Sequence, residues 1–117
     1  FLQAATMDAE GNWFGLADLA ERWSRAEPGI ASPWLALGRA HYRLKQNETA
    51  IRALREALAI EPDLAEAWFY LGLAHAENGN PDETRRAHRV LLGLDARLAA
   101  ELSRHTLECK PVPLTTC

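Results

Sequence analysis

Two histidines stand at equivalent places in this chain of 117 residues. His41 closes the run Trp34-Leu35-Ala36-Leu37-Gly38-Arg39-Ala40-His41. His75 closes Trp68-Phe69-Tyr70-Leu71-Gly72-Leu73-Ala74-His75, 34 residues later. A pair of imidazoles invites a test for metal chemistry, which needs both rings within a few Å of one ion. Elements stacked one period apart hold equivalent side chains about 10 Å from each other. The expectation is therefore two partly buried core histidines. His105 and Cys109, at i and i+4 on one helix face, form a usable ligand pair, but no third ligand is evident. The sequence shows no glycine-rich phosphate loop, no nucleophile elbow and no helical His-Glu zinc-protease pattern. The chain is expected to be non-enzymatic, with no metal and no cofactor.

Binding is the better use of these residues. Leu35, Arg39, Tyr42 and Arg43 form a stripe at i, i+4, i+7 and i+8, distinct from the Trp34, Leu37, Gly38 and His41 stripe. Their equivalents one period on are Phe69, Leu73, Ala76 and Glu77. Aromatic and arginine side chains are the commonest interface anchors. These eight residues are the candidate peptide-binding groove, with the arginines suited to an acidic group. As groove residues, Leu35, Arg39, Tyr42, Arg43, Phe69 and Leu73 are expected to be more exposed than Trp34, Leu37, Trp68 and Leu71.

The elements that must position this stripe are helices joined by short turns. Apolar spacing predicts helices over Ser32–Lys45, Glu48–Ile60 and Ala65–Asn78, then one from Pro81 to about Leu92. Ser32 and Pro33 read as an N-cap and first-turn proline, and Glu61-Pro62-Asp63 as a stop. Gly79 suits a C-terminal cap, Asn80-Pro81-Asp82-Glu83 reads as a capping box, and Gly93 reads as a second stop. A helix from about Leu98 to Glu108 is amphipathic and suits a terminal cap, followed by an extended tail from Lys110. Upstream, Gly11-Asn12 and Glu27-Pro28 keep the turns in register although the core residues have drifted. Ala20 and Trp23 stand where Leu54 and Ala57 stand later, which reads as a volume-conserving exchange.

The pattern Trp34, Leu37-Gly38, Ala50, Leu54, Ala57 and Pro62 resembles the tetratricopeptide repeat family. It departs at His41, where tyrosine is usual, and at Leu54, where an aromatic is usual. The next unit has Trp68 and Leu71-Gly72 but His75, Thr84, His88 and Ala96 at the later sites. The resemblance implies an all-α fold, a right-handed solenoid of about three helical hairpins plus a C-terminal capping helix. It divides the chain into a degenerate or truncated first repeat at 1–30, repeats at 31–64 and 65–98, a capping helix at 99–109 and a tail at 110–117. It also implies that the first helix of each unit lines the concave side. Family members that clamp the C-terminal carboxylate of heat-shock chaperones need an asparagine where Ala36 stands, and cations where Glu66 and Tyr70 stand. That subclass is not expected.

Charge and composition narrow the partner. A net charge of -3 gives no basic footprint for nucleic acid. No apolar run reaches the ~20 residues of a membrane span, so no membrane insertion is expected. Phe1 in place of Met is expected of a fragment or a processed form, and the register places the chain's start inside a first helix. Cys109 and Cys117 are the only cysteines; a bridge between them would tie down only a tail, and whether they pair is open. The expected role is a protein- or peptide-binding scaffold or adaptor segment using the concave groove. The alternative is a self-association module or a structural segment of a larger repeat protein, with a homodimer through apolar surface near Phe1, Leu2 and Trp13. A cytoplasmic setting is favoured; a periplasmic one and a longer parent protein stay open.

Overall fold

The computed structural model describes residues 12–107. Within them the chain forms six α-helices: α1 Trp13–Ala26, α2 Ala31–Arg43, α3 Asn47–Ile60, α4 Ala65–Glu77, α5 Pro81–Leu94 and α6 Ala96–Leu102, followed by a π-helical turn at Ser103–Leu107. Among the described residues there is no strand. The first helix of the 1–30 unit, the tail, Phe1, Leu2, Cys109 and Cys117 lie outside the described residues.

Each helix packs on the next, and α2 also packs on α4, and α4 on α6. Helices α3 and α5 have no comparable contact, so α2 and α4 form the inner wall and α3 and α5 splay outside. Neighbour stacking buries what one hairpin cannot bury alone. The seam between α1 and α2 holds Leu16, Ala20, Leu37 and Ala40. The seam between the next two hairpins holds Leu35, Ile51, Leu54, Ala57, Leu71 and Ala74. The last holds Leu73, Ala87, Leu91, Ala99 and Leu102.

The two tryptophans of the repeat anchor the turns as well as the seams. Trp34 Nε1 donates to the Pro28 carbonyl at 3.2 Å, and Trp68 Nε1 donates to the Pro62 carbonyl at 2.9 Å. The same hydrogen bond thus recurs one period apart. Glycine has a steric role at the hairpin contact. A Cβ on Gly38 would lie 2.5 Å from Leu54 Cγ, and one on Gly72 would lie 2.7 Å from Leu102 Cδ2.

The turns after α2 and α4 are built alike. Gln46 N bonds to the His41 carbonyl and Lys45 N to the Tyr42 carbonyl; Asn80 N bonds to the His75 carbonyl and Gly79 N to the Ala76 carbonyl. This paired closure is the Schellman motif, which needs a left-handed residue. Gly79 supplies it with φ 77°, and Lys45 adopts φ 66° in the same place.

Several local expectations are corrected. Helix α2 begins at Ala31, so Ser32 lies inside its first turn, and Ile30 caps it without a side-chain bond. Pro33 still sits where a missing N–H costs nothing. Asn80 precedes α5 but makes no capping bond; its amide is spent on His75. Helix α5 runs through Gly93 to Leu94. The stop belongs to Asp95, whose carboxylate accepts from Arg97 N and Leu98 N and starts α6 at once. The expected core exchange involving Trp23 is not found. Leu16 and Ala20 are fully buried where Ala50 and Leu54 sit one period later, so the leucine has moved by one turn. Trp23 instead lies half-buried outside that seam.

Candidate binding groove

Helices α2 and α4 place their stripes on one inner wall, and the turn after α6 closes it. A cavity of about 460 Å³ is lined by Tyr42, Arg43, Phe69, Leu73, Ala76 and Glu77, together with Tyr70 and His105. Six of the eight groove residues read from sequence thus meet at one place. The other two do not. Leu35 is buried in the seam between α2, α3 and α4. Arg39 has its guanidinium 3.9 Å from the Glu66 carboxylate, with a side chain that is mostly buried.

The expected exposure of the groove leucines is not found, because they are as buried as their seam counterparts. Leu35 and Leu73 are 9% and 8% exposed, against 8% and 7% for Leu37 and Leu71. The reason is that inner helices are packed on two sides. A helix flanked by its own hairpin partner and by the next inner helix buries two stripes, leaving only a narrow strip of Tyr42, Arg43, Phe69, Tyr70 and Glu77 to solvent. Trp34 and Trp68 are half-buried.

The aromatic floor is ordered by edge contacts. Tyr42 and Tyr70 meet at 5.9 Å between centroids, and Phe69 and Tyr70 at 5.2 Å, both edge-on. Such geometry satisfies the ring quadrupoles. Tyr42 Oη donates to Glu77 Oε2 at 3.0 Å, Asn47 Nδ2 reaches Glu77 Oε1 at 3.5 Å, and Lys45 Nζ lies 4.0 Å from the same carboxylate. Burial first, then the Glu77 hydrogen bond, pushes the Tyr42 phenol up to about 12. It therefore remains a donor at every physiological pH. Arg43 lies over the Trp13 ring at 5.1 Å, a cation–π contact, and remains exposed. The groove thus offers an apolar aromatic floor, one open guanidinium and one carboxylate already held by three partners.

Tyr70 and His105 were missed. Tyr70 lies at i, i+3, i+7 with Leu73 and Glu77, which is a helical stripe signal. It was hidden because its equivalent one period earlier is Ala36, a buried small residue. His105 reaches the groove only through the π-helical turn, which nothing in the spacing announces.

The repeated histidines do not converge on a metal site. His41 Nδ1 bonds Gln46 Oε1 at 2.6 Å, and His75 Nδ1 bonds Asn80 Nδ2 at 3.2 Å. Each thus ties its own turn to its own helix. Their tautomers are opposite: His41 donates at Nδ1, whereas His75 accepts there and carries its proton on Nε2. Among the described residues no group of three or more His, Cys, Asp or Glu is placed to hold a metal ion. His105 lies 3.6 Å from Glu101, and Cys109 is outside the described residues. Among the described residues no helix is long and apolar enough to cross a membrane.

Comparison with known proteins agrees with this geometry. The family model described as TPR repeat matches residues 34–79. No curated protein matches the chain. A solved structure of the first TPR of Spaghetti (RPAP3), bound to the HSP90 peptide SRMEEVD, is similar to it with a TM-score of 0.82. Identity is 18%, over 88% of this chain and 83% of that one, so this likeness is one of fold. Residues 34–79 thus match the TPR-repeat model, and the described helices share the fold of a tetratricopeptide-repeat solenoid.

Proposed function

We propose that the chain is a non-catalytic binding domain that takes a protein or peptide segment in the groove between α2, α4 and the turn after α6. The observation that carries this reading is the convergence of Tyr42, Arg43, Phe69, Leu73, Ala76 and Glu77, from two helices, on one open cavity. A neighbour of the same fold binds a peptide, which supports the class of function. The ligand chemistry follows from this chain's own residues. An apolar or aromatic anchor would lie on Phe69 and Tyr70, and an acidic group beside it would meet Arg43. The chaperone-tail clamp is not proposed. Ala36 is buried, Glu66 faces Arg39, and Tyr70 belongs to the aromatic floor.

The test is capture of partners from a cell extract by the domain and by two groove variants, Arg43→Glu and Ala76→Glu. Both are expected to lose the captured partner; Arg43 is exposed, where changes shift stability by about 0.5 kcal/mol, whereas Ala76 is half-buried, so melting curves establish that both variants are folded. Arg25→Glu, on exposed α1 surface, is the matched charge reversal and should retain it. Equal loss from all three would indicate bulk charge. Retention by both groove variants would move binding off this wall.

A further inference from the structure

The outer helices carry a second repeated feature that the groove does not use. Helices α3 and α5 present arginines one period apart: Arg52 with Arg86, and Arg55 with Arg89. All four are exposed. The equivalent places on α1 hold Asp18 and Glu21, which pair with Arg22 and Arg25. The basic stripe therefore belongs to the second and third units alone.

Two cavities open beneath three of these arginines, Arg52, Arg55 and Arg86. One, of about 380 Å³, is lined by Trp34, Leu37, Thr49, Arg52, Arg55 and Glu56, with Ala53 at its edge. The other, of about 430 Å³, is lined by Trp68, Leu71, Glu83, Arg86, Arg55 and His75, among others. They are the same place in successive repeats. Trp34 and Trp68, Leu37 and Leu71, Thr49 and Glu83, and Arg52 and Arg86 are each 34 residues apart. Arg55 forms part of both walls, so the two cavities are adjoining subsites.

The chemistry of the subsites is an apolar floor with guanidinium walls. Among the described residues Arg52, Arg55 and Arg86 make no ion pair, although Glu56 and Glu83 line the same cavities. Three unpaired forks against two carboxylates leave the walls positive on a chain whose net charge is -3. His75, 4% exposed, forms part of the floor of the second cavity, and its Nε2 has no hydrogen-bond partner.

From this repetition we infer that the outer face of α3 and α5 binds an extended acidic segment of a partner protein, in which carboxylates and apolar side chains take turns at every second residue. Apolar side chains lie on the Trp34–Leu37 and Trp68–Leu71 floors, and carboxylates meet Arg52, Arg55 and Arg86 in bidentate pairs. An extended strand points alternate residues to opposite sides, so only every second residue reaches this face, and apolar and acidic residues must take turns along that one side. Glu56 and Glu83 would repel an unbroken line of phosphates, which favours a segment of spaced carboxylates over a nucleic acid. This surface is separate from the groove between α2 and α4, and either can fail without the other.

The test uses the whole chain and a fluorescein-labelled peptide in which leucine and aspartate take turns at every second residue, with serine between them, read by fluorescence anisotropy. Binding is expected to weaken about tenfold or more in the Arg52→Glu, Arg86→Glu double variant and at raised salt. It should be unchanged in Arg43→Glu, and absent for a leucine–lysine peptide. In NMR spectra the indole signals of Trp34 and Trp68 should move on titration while those of Tyr42 and Phe69 stay. Circular dichroism melting establishes that the double variant is folded; for a variant that fails to fold, Arg52→Gln with Arg86→Gln replaces it with the same expected loss. No binding at millimolar peptide overturns the inference, as does binding that both double variants leave intact. Shifts confined to Tyr42 and Phe69 overturn it in favour of the inner groove. Equal binding of a single-stranded oligonucleotide, lost in the same variants, overturns it in favour of a general polyanion surface.

Discussion

The units 31–64 and 65–98 share a plan and solve one packing problem in different ways. In the first, the space over Gly38 is filled by Leu54 from the same hairpin. In the second, the position equivalent to Leu54 is His88, a half-exposed polar residue. The space over Gly72 is filled instead by Leu102, which comes from α6. Thr84 stands where Ala50 stands, and its hydroxyl donates to the Asn80 carbonyl at 3.0 Å, with the Gly72 carbonyl 3.4 Å away. The difference teaches that a repeat can lose a signature core residue without losing its core, provided the next element supplies the volume. It also explains why α6 follows α5 with only Asp95 between them, where residues 61–64 separate α3 from α4.

The largest test of this comparison is to remove each filler. Leu54→Ala and Leu102→Ala should each cost about 2–5 kcal/mol, since both leucines are fully buried. Denaturant melts give the cost. Hydrogen exchange should separate the two sites: Leu54→Ala loosens α2 to α4 together, whereas Leu102→Ala loosens α5 and α6 and spares α2. Gly72→Ala should be less harmful in the Leu102→Ala background than alone, a coupling a double-mutant cycle reads directly. Additive costs would mean that Leu102 does not fill that space.

A smaller effect separates the histidines. Burial holds the His75 imidazole below its ordinary pKa of 6.5, with the nearby Arg55 charge lowering it further and Glu83 opposing. The folded state therefore prefers the neutral ring. Stability is complete above pH 6.5 and falls below it, as the unfolded chain takes up a proton that the folded one resists. The slope is at most about 1.4 kcal/mol per pH unit for one group. His75→Gln should flatten that part of the pH profile. A profile of unchanged steepness would assign it to other groups.

The smallest expected effect compares the two turns. Lys45 holds a left-handed backbone that Gly79 adopts freely. Lys45→Gly should stabilise the chain by about 0.5–1 kcal/mol, and Gly79→Ala should destabilise it by about 1 kcal/mol. The exposed contact of Lys45 with Glu77, at 4.0 Å, is worth too little to reverse this. Thermal melts of both variants check the pair, and a destabilised Lys45→Gly would show that the Glu77 contact matters more than the strain.

Much of this architecture was legible in the sequence because a period is a local signal copied. The tryptophans and the glycines of the hairpin contact fell where the 34-residue spacing put them, and Gly79 was marked as a helix stop by its residue type. Residues fixed by long-range partners were not legible. Nothing local says that Leu102 replaces His88, that Arg39 lies mostly buried beside Glu66, or that Gly93 is carried through a helix. The groove was partly readable for a related reason. Its stripe lies on two helices at known offsets, but burial of Leu35 and Leu73 depends on inner helices being packed from two sides.

The placement of Leu102 has a consequence for growth. A stack of hairpins elongates head to tail only if both of its ends present open, complementary faces. Here the face beyond α4 and α5 is already stopped by α6, as a plug closes a pipe. A copy that stacked its α1 side on this end would therefore meet α6 and not the bare face of α4 and α5.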